Sequence, residues 1–247
     1  MTATGTTVRI AMWSGPRNIS TAMMRSWGSR ADCAVVDEPL YACYLQATDA
    51  PHPDRERVIE HHENDWRKVV DYLLGPAPAD QPIFYQKHMA HHLLPEFEGH
   101  WIEKLSNAML LREPAQMLAS LDRILDQPEV TDTGLPQQRR LFRRLRERGL
   151  QPPVVDARQI LEDPERGLRA LCRALHVDFD PAMLSWEPGL RDTDGIWAEY
   201  WYGAVARSTG FRPYRPGRSQ VRASLRDVLA ECQAIYDELI AHAIKLE

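Results

Sequence analysis

Val8-Arg9-Ile10-Ala11-Met12-Trp13-Ser14-Gly15-Pro16-Arg17-Asn18-Ile19-Ser20-Thr21 decides how the rest of the chain is read. The first six of these residues form a short, mostly apolar run, and Ser14-Gly15-Pro16 stops it. Such a run bounded by turn residues suits a buried parallel strand. Ala22-Met23-Met24-Arg25-Ser26-Trp27 then has the composition of a helix. The order strand, tight loop, helix puts the loop beyond the carboxyl end of a strand, where open parallel sheets bind ligands. A loop opening into a helix offers unpaired backbone N–H groups and the positive end of the helix dipole. Arg17, Ser20 and Thr21 add side-chain donors, which makes the segment a candidate anion site. It is not a Walker A loop, because the Gly-Lys-Ser/Thr that would reach a terminal phosphate and Mg²⁺ is missing. Taken alone, the segment reads equally well as a strand-turn-helix corner with ordinary polar capping.

The alternation continues downstream. Ala34-Val35-Val36-Asp37 reads as a second strand ended by Glu38-Pro39, and Ile83 to Met89 as a third. Asn107 to Arg112 reads as a fourth, followed by Pro114 and a helix carrying Met117, Leu118, Leu121 and Leu125. Pro153 to Asp156 reads as a fifth. Between the second and third strands, one helix is expected from about Asp54 to Leu74, stopped by Gly75-Pro76-Ala77-Pro78. Asp163-Pro164 is a helix start, with Asp as N-cap and Pro at the first helical position. Apolar residues at helical spacing fill Ser219 to Ile244. Strands alternating with helices imply an α/β fold, a three-layer parallel sheet with helices on both faces. No linker-like composition divides the chain, so one domain is expected over 1–247. Residues 186–218, rich in Trp, Tyr, Gly and Pro, are expected to form a lid or substrate wall.

Composition narrows the function. The 247 residues hold 30 Lys and Arg against 35 Asp and Glu, a net charge of -5, which argues against a general nucleic-acid binder. With 44% hydrophobic and 26% charged residues the chain is an ordinary globular one. No run of about 18 apolar residues is present to span a membrane. The N-terminus lacks a basic stretch followed by an apolar one, so no signal peptide and a cytoplasmic location are expected. Cys33, Cys43, Cys172 and Cys232 are scattered, as buried thiols of a reducing compartment are.

A second segment changes the weight of the first. Arg112-Glu113-Pro114 places Arg at a strand end, and Ser120 follows about two turns into the next helix. A guanidinium fork with a hydroxyl is a phosphate clamp. Together the two segments resemble the cofactor motifs of sulfotransferases that use 3'-phosphoadenosine 5'-phosphosulfate (PAPS). In that family a loop of the type P-[KR]-S-G-[ST]-T holds the 5'-phosphosulfate, and here Pro16, Arg17, Asn18, Ile19, Ser20 and Thr21 stand in its place. A motif R-D-P-x-x-x-x-x-S holds the 3'-phosphate, and Arg112, Glu113, Pro114 and Ser120 match its spacing. Val155 to Pro164, with Leu168, Leu171 and Leu175, is similar to the family's Y-E-D-L-x-x-D-P stretch. The likeness runs from about residue 8 to 180 in the right order, and the lead-in is similar to a bacterial branch of the family. It implies a P-loop nucleoside-triphosphate-hydrolase-like fold, PAPS as donor, PAP as product, and no metal. Gly15 to Thr21, Arg112 and Ser120 would hold the donor, with Arg218 in a segment that faintly resembles the family's Arg-and-Gly 3'-phosphate loop. Ile19 stands where the family has Gly and Asn18 where it has Ser. A β-branched residue does not readily take positive φ, so the loop backbone is expected to differ at Ile19.

Sulfuryl transfer needs an acceptor that loses a proton and screening of the charge that develops on the leaving phosphate. Arg17 is the first candidate for that screening. The third strand ends in Gln86-Lys87-His88-Met89, and successive strand residues point to opposite faces, so Lys87 and His88 cannot both enter one cleft. His88 is the favoured base, because imidazole titrates near neutral pH. A hydrogen-bonded packing histidine is its ordinary alternative. Glu38, at the same edge after the second strand, is the other candidate base. His91 and His92 lack an evident third metal ligand. The arginines Arg139 to Arg148 read as a solvated helix face, and Trp197, Tyr200 and Trp201 as core at helical spacing. The expected partner is a small-molecule acceptor, with a homodimer allowed for and neither nucleic acid nor membrane. Two other readings stay open: an ATP-dependent phosphotransferase, and a catalytically silent nucleotide-binding module.

Overall fold

In the computed structural model, residues 7–215 and 220–246 are described. Five parallel strands, β1 (Val8–Ser14), β2 (Cys33–Asp37), β3 (Ile83–Met89), β4 (Ser106–Leu111) and β5 (Val154–Asp156), lie in the order β2-β3-β1-β4-β5. The helices are α1 (Ser20–Trp27), α2 (Tyr41–Ala47), α3 (Arg55–His61), α4 (Trp66–Leu74), α5 (Pro114–Leu121) and α6 (Leu135–Glu147), then α7 (Ala157–Glu162), α8 (Pro164–Ala174), α9 (Ala198–Trp201) and α10 (Arg226–Ile240). The chain leaves β1 toward β2 and leaves β4 toward β5. The connections therefore diverge between β1 and β4, and a crevice opens at their carboxyl ends.

The apolar runs of the strands follow from burial on both faces. All seven residues of β3 are buried. One face carries Ala11, Trp13, Phe84 and Met109 against α4, α6 and α10. The other carries Ile10, Met12, Tyr85 and Leu110 against α1 and α8. This is the α/β fold with a parallel sheet between helical layers that the alternation predicts.

The single helix expected from Asp54 to Leu74 is two helices, α3 and α4. Val58 of α3 packs on the layer with α1, whereas Val69, Val70 and Leu73 of α4 pack on the opposite layer. A straight helix cannot reach both, so the chain breaks, and Asp65 restarts it by accepting the Arg67 N–H at 3.0 Å. Likewise the last helix starts at Arg226 rather than Ser219, after a 3₁₀ turn over Ala223–Leu225. At Asp163 the expected cap is present: its carboxylate accepts the Arg166 N–H at 3.1 Å and Pro164 opens α8. Cys43, Cys172 and Cys232 are buried free thiols and Cys33 is half-buried. Among the described residues no helix is long and apolar enough to cross a membrane.

Gly15 has a packing role. A Cβ on it would lie 2.1 Å from the Thr133 carbonyl oxygen, in the turn that leads into α6. Gly15→Ala must therefore push the 130–134 turn away from β1. The expected cost is about 1–3 kcal/mol, read as a lower Tm; an unchanged Tm would show that the turn yields freely.

Candidate active site

The crevice at the strand ends is a cleft of about 1730 Å³. Its two chemically distinct parts follow from the strand order. Glu38 follows β2, Lys87 lies near the end of β3, Arg17 follows β1 and Arg112 follows β4. At ~4.8 Å per strand, β2 and β4 are roughly 14 Å apart.

On the β1–β4 side the loop is fixed from below. Gln138 Nε2 donates to the Trp13 carbonyl at 2.9 Å and the Leu110 carbonyl at 3.2 Å, tying the two strand ends together. Asn18 Nδ2 also donates to the Leu110 carbonyl (3.0 Å), and Asn18 Oδ1 accepts the Ile19 N–H (2.8 Å). Ile19 has φ -89°, so its β-branch is not strained, and the left-handed residue of the loop is Arg17 at φ 57°. The departure from the family's glycine thus leaves the turn intact, because the positive φ falls two residues earlier. Arg112 Nη1 donates to the Arg17 carbonyl, and Arg17 Nε donates to Ser120 Oγ at 3.0 Å. Arg17, Arg112 and Ser120 are therefore brought together. Burial lowers the pKa of both guanidiniums, with Arg123 adding to the effect on Arg17 and Arg17 to that on Arg112. Among the described residues neither has a carboxylate within ion-pair distance. The first turn of α1 holds no acidic residue and no side-chain cap, which leaves its N–H groups open to an anion.

Pro16, Asn18, Ile19, Ser20 and Thr21 line the cleft with Arg17 and Arg112, as the loop reading expects. Gly15 does not line it: it is buried against Thr133. Ser120 is reached through Arg17 rather than forming the wall. Arg218 lies outside the described residues.

On the β2–β3 side the cleft ends in a buried ionic cluster. Lys87 Nζ donates to Asp37 Oδ1 at 2.8 Å, to Glu38 Oε1 at 2.5 Å and to Tyr202 Oη at 2.6 Å. Tyr202 Oη donates to Asp37 at 2.7 Å. Glu38 takes φ 41°, a left-handed conformation, in the turn that follows β2. Burial raises the Glu38 pKa and Asp37 adds to this, with Lys87 pulling the other way. Burial works against the Lys87 ammonium, but Asp37 and Glu38 outweigh it and leave the pKa raised.

His88 is not in this cleft. Strand alternation sends Lys87 to the cleft side and His88 to the other face, where it stacks on Trp13 (centroids 4.2 Å, 21°) with Nε2 3.3 Å from Gln86 Oε1. Burial holds its pKa down at about 3. It is a packing histidine, and of the two candidate bases only Glu38 faces the cleft. Residues 186–215 form a fastened wall. Arg25 pairs with Asp194 through two bonds of 2.6 Å with both side chains buried, and the Gly195 N–H donates to Asp37 at 3.1 Å. Trp197 is core, as its spacing suggests, whereas Trp201 lines the cleft and Tyr200 is largely exposed. The arginines of α6 are a surface face, on which Arg140, Arg143 and Arg144 pair with Glu98, Glu103 and Glu238. Among the described residues no group of three or more His, Cys, Asp or Glu side chains is placed to hold a metal ion.

Asp37, Lys87 and Tyr202 are the site residues that sequence reasoning passed over. The strand parity at Gln86-Lys87-His88 held the signal for Lys87, since it allows only one of the pair inside. Tyr202 has no local signal.

The burial of His88 sets a pH dependence. Its folded pKa of about 3 lies below the ordinary 6.5, so the unfolded chain binds more protons between these values and stability falls as pH drops from 6.5 toward 3. His88→Phe, which can keep the stack on Trp13, is expected to flatten this fall, by up to about 1.4 kcal/mol per pH unit. Urea denaturation across that range checks it; identical slopes in both proteins would refute it.

Comparison with known proteins agrees with this architecture. The sulfotransferase-domain family model matches residues 8–243. Branched-chain-amino-acid aminotransferase-like proteins 1 and 2 of Arabidopsis thaliana are 34% and 32% identical over 234 residues, 94% of this chain and 42% and 41% of theirs. The chain thus spans about two fifths of the length of these curated relatives. The solved sulfotransferase domain from the curacin biosynthetic pathway has a TM-score of 0.53 at 15% identity, covering 97% of this chain and 99% of that one. A sulfotransferase from Alicyclobacillus acidocaldarius has a TM-score of 0.51 at 13% identity, covering 95% and 94%. At such identities the structures speak for the fold, which is P-loop-like. The family match spans nearly the whole chain, and the chain belongs to the sulfotransferase-domain family.

Proposed function

We propose that the chain transfers a sulfuryl group from PAPS to a hydroxyl or amine of a small-molecule acceptor. One observation carries this reading: two arginines without carboxylate partners among the described residues and one tethered carboxylate open into the same cleft. PAPS has phosphate-type charge at both ends of its ribose, and the residues present fit a ligand with two separate anionic groups. The open N–H groups of α1 with Arg17, Ser20 and Thr21 would hold the 5' end. Arg112 would hold the 3'-phosphate, with Ser120 steadying Arg17 beside it.

The chemistry divides between the two parts of the cleft. Glu38 takes the acceptor's proton, since Lys87 occupies Oε1 and leaves Oε2 without a hydrogen bond among the described residues. Arg17 and the α1 N–H groups screen the charge that develops on the leaving phosphate oxygen. The aminotransferase-like names of the plant relatives point to another chemistry, in which a lysine amine must be free to form a Schiff base. Lys87, the one lysine of the cleft among the described residues, has its donors committed to Asp37, Glu38 and Tyr202.

Calorimetry with PAP and AMP tests the donor. PAP is expected to bind more tightly, and equal binding would refute the 3'-phosphate assignment; Mg²⁺-dependent ATP binding in place of PAP would favour a phosphotransferase. Arg112→Ala is expected to cut the PAP-over-AMP preference by about tenfold or more, the loss of a charged hydrogen bond. An unchanged ratio would count against the clamp.

Glu38 accepts a proton only when ionised. With its pKa held above 4.5, kcat/KM is expected to fall as pH drops through a midpoint above that value. Glu38→Gln removes the base and is expected to lower kcat by about 10²–10⁴-fold, with PAP affinity kept. A Glu38→Gln enzyme of wild-type kcat would overturn the base assignment.

A further inference from the structure

The two oxygens of Glu38 have different surroundings. Oε1 receives Lys87 Nζ at 2.5 Å, with Tyr202 Oη at 3.4 Å. Oε2 faces Nδ1 of His92 at 3.9 Å, too far for a hydrogen bond. That nitrogen is buried and has no hydrogen-bond partner. The His92 ring is buried and closely packed: it stacks on Tyr41 (4.3 Å, 5°), Tyr44 lies beside it (4.9 Å, 25°), and the His91 ring packs across it at 4.3 Å and 69°.

A buried nitrogen lone pair beside an ionised carboxylate oxygen gains nothing, and a lone buried acceptor is costly. The same pair becomes complementary when Oε2 carries a proton. With the ring proton on Nε2, Nδ1 is an acceptor aimed at that oxygen. Closing 3.9 Å to about 2.8 Å requires the Glu38 carboxyl to rotate about its soft terminal torsion, which protonation allows by weakening the hold of Lys87 on Oε1.

We propose that His92 is a positioning residue for the protonated state of Glu38, accepting a hydrogen bond on Nδ1 from the proton that Oε2 has taken. The proposal rests on the sulfuryl-transfer reading. In that step the acceptor O–H bond breaks and its proton moves to Oε2. The freed oxygen pair forms the bond to sulfur, and the sulfur–oxygen bond to the phosphate breaks with its electrons leaving on PAP. Glu38 ends the step neutral, and its O–H points at His92. Burial, with His91, Lys87, His88 and His52 adding to it, keeps His92 uncharged, so His92 shares the proton without removing it. The other groups facing Glu38 are Asp37 from β2, Lys87 from β3, Tyr41 from α2 and Tyr202 from the 186–215 wall. The packing of His92 against Tyr41 and Tyr44 thereby does more than fill space, because it holds the acceptor nitrogen where the proton arrives.

A partner for the protonated form raises the Glu38 midpoint, so removing that partner must lower it. His92→Phe keeps an aromatic packed against the tyrosines and deletes the acceptor. Infrared difference titration of the Glu38 carboxyl, its band identified by loss in Glu38→Gln, is expected to show a midpoint lower by about 0.5–1 pH unit. The acid limb of kcat/KM is expected to move with it. His92→Gln restores an acceptor and is expected to bring the midpoint back toward wild type, with PAP affinity equal in all three proteins. In the wild type, the ¹⁵N resonance of His92 Nδ1 is expected to move upfield as pH falls through the Glu38 midpoint, a readout that needs no variant. A midpoint unchanged or raised in His92→Phe, a Gln variant that behaves like Phe, or a static ¹⁵N resonance would overturn the proposal. If Glu38→Gln is inactive in those same experiments, the sulfuryl-transfer reading survives that failure. If Glu38→Gln keeps wild-type transfer, the base assignment falls and this proposal falls with it.

Discussion

Lys87 brings an ammonium to the carboxyl end of β3 with a side-chain exposure of 1%, and Asp37, Glu38 and Tyr202 surround it with oxygens. An ammonium so deeply buried survives only because its desolvation is offset by two carboxylates at hydrogen-bond distance. Removing one partner of such a cluster strands a buried charge, at about 3–5 kcal/mol. The cluster therefore commits separate pieces of chain to one arrangement. It joins the ends of β2 and β3 to the 186–215 wall through Tyr202, and the Gly195 N–H adds a second tie to Asp37. The position of Glu38 over the cleft follows from it.

The other side of the cleft is built on the opposite balance. Arg17 and Arg112 approach each other with no carboxylate between them among the described residues, and burial weakens the charged form of both. What keeps them there is backbone architecture. Gln138 and Asn18 bind the Leu110 carbonyl, and Arg112 commits a donor to the Arg17 carbonyl. The strand ends are fixed first and the cations are carried on them. A protein of net charge -5 can thus present a locally positive site, because two arginines and one helix N-terminus suffice for a compact anion.

Much of the fold was legible in one dimension. The five strands and the β1 loop are short apolar runs closed by turn residues, a pattern set by burial on both sheet faces, and all five are present within a residue or two. The helix boundaries were less legible. Nothing local in 54–74 shows that Val58 and Val69 belong to opposite layers, which is the reason the helix breaks. In the site, the loop residues and the Arg112–Ser120 pairing could be read from spacing, because they lie in the loop after β1, at the end of β4 and on the helix that follows it; the bond from Arg17 to Ser120 could not. Gly15 could not be placed, since its role depends on Thr133, far along the chain.

The sequence by itself determined the order of elements, the loop after β1 and the Arg112–Ser120 spacing after β4, because these depend on local turns and on residues that follow strand ends. It left His88 and Glu38 as rival bases, although strand parity already forbade Lys87 and His88 from sharing a face. Only the tertiary structure shows that Glu38, and not His88, faces the cleft. His88 packs on Trp13 because the sheet places it opposite that ring, and Glu38 faces the cleft because Lys87 and Tyr202 converge on it from 49 and 164 residues away. Such convergence is a property of the sheet order and of the wall laid over it, and no window of sequence contains it.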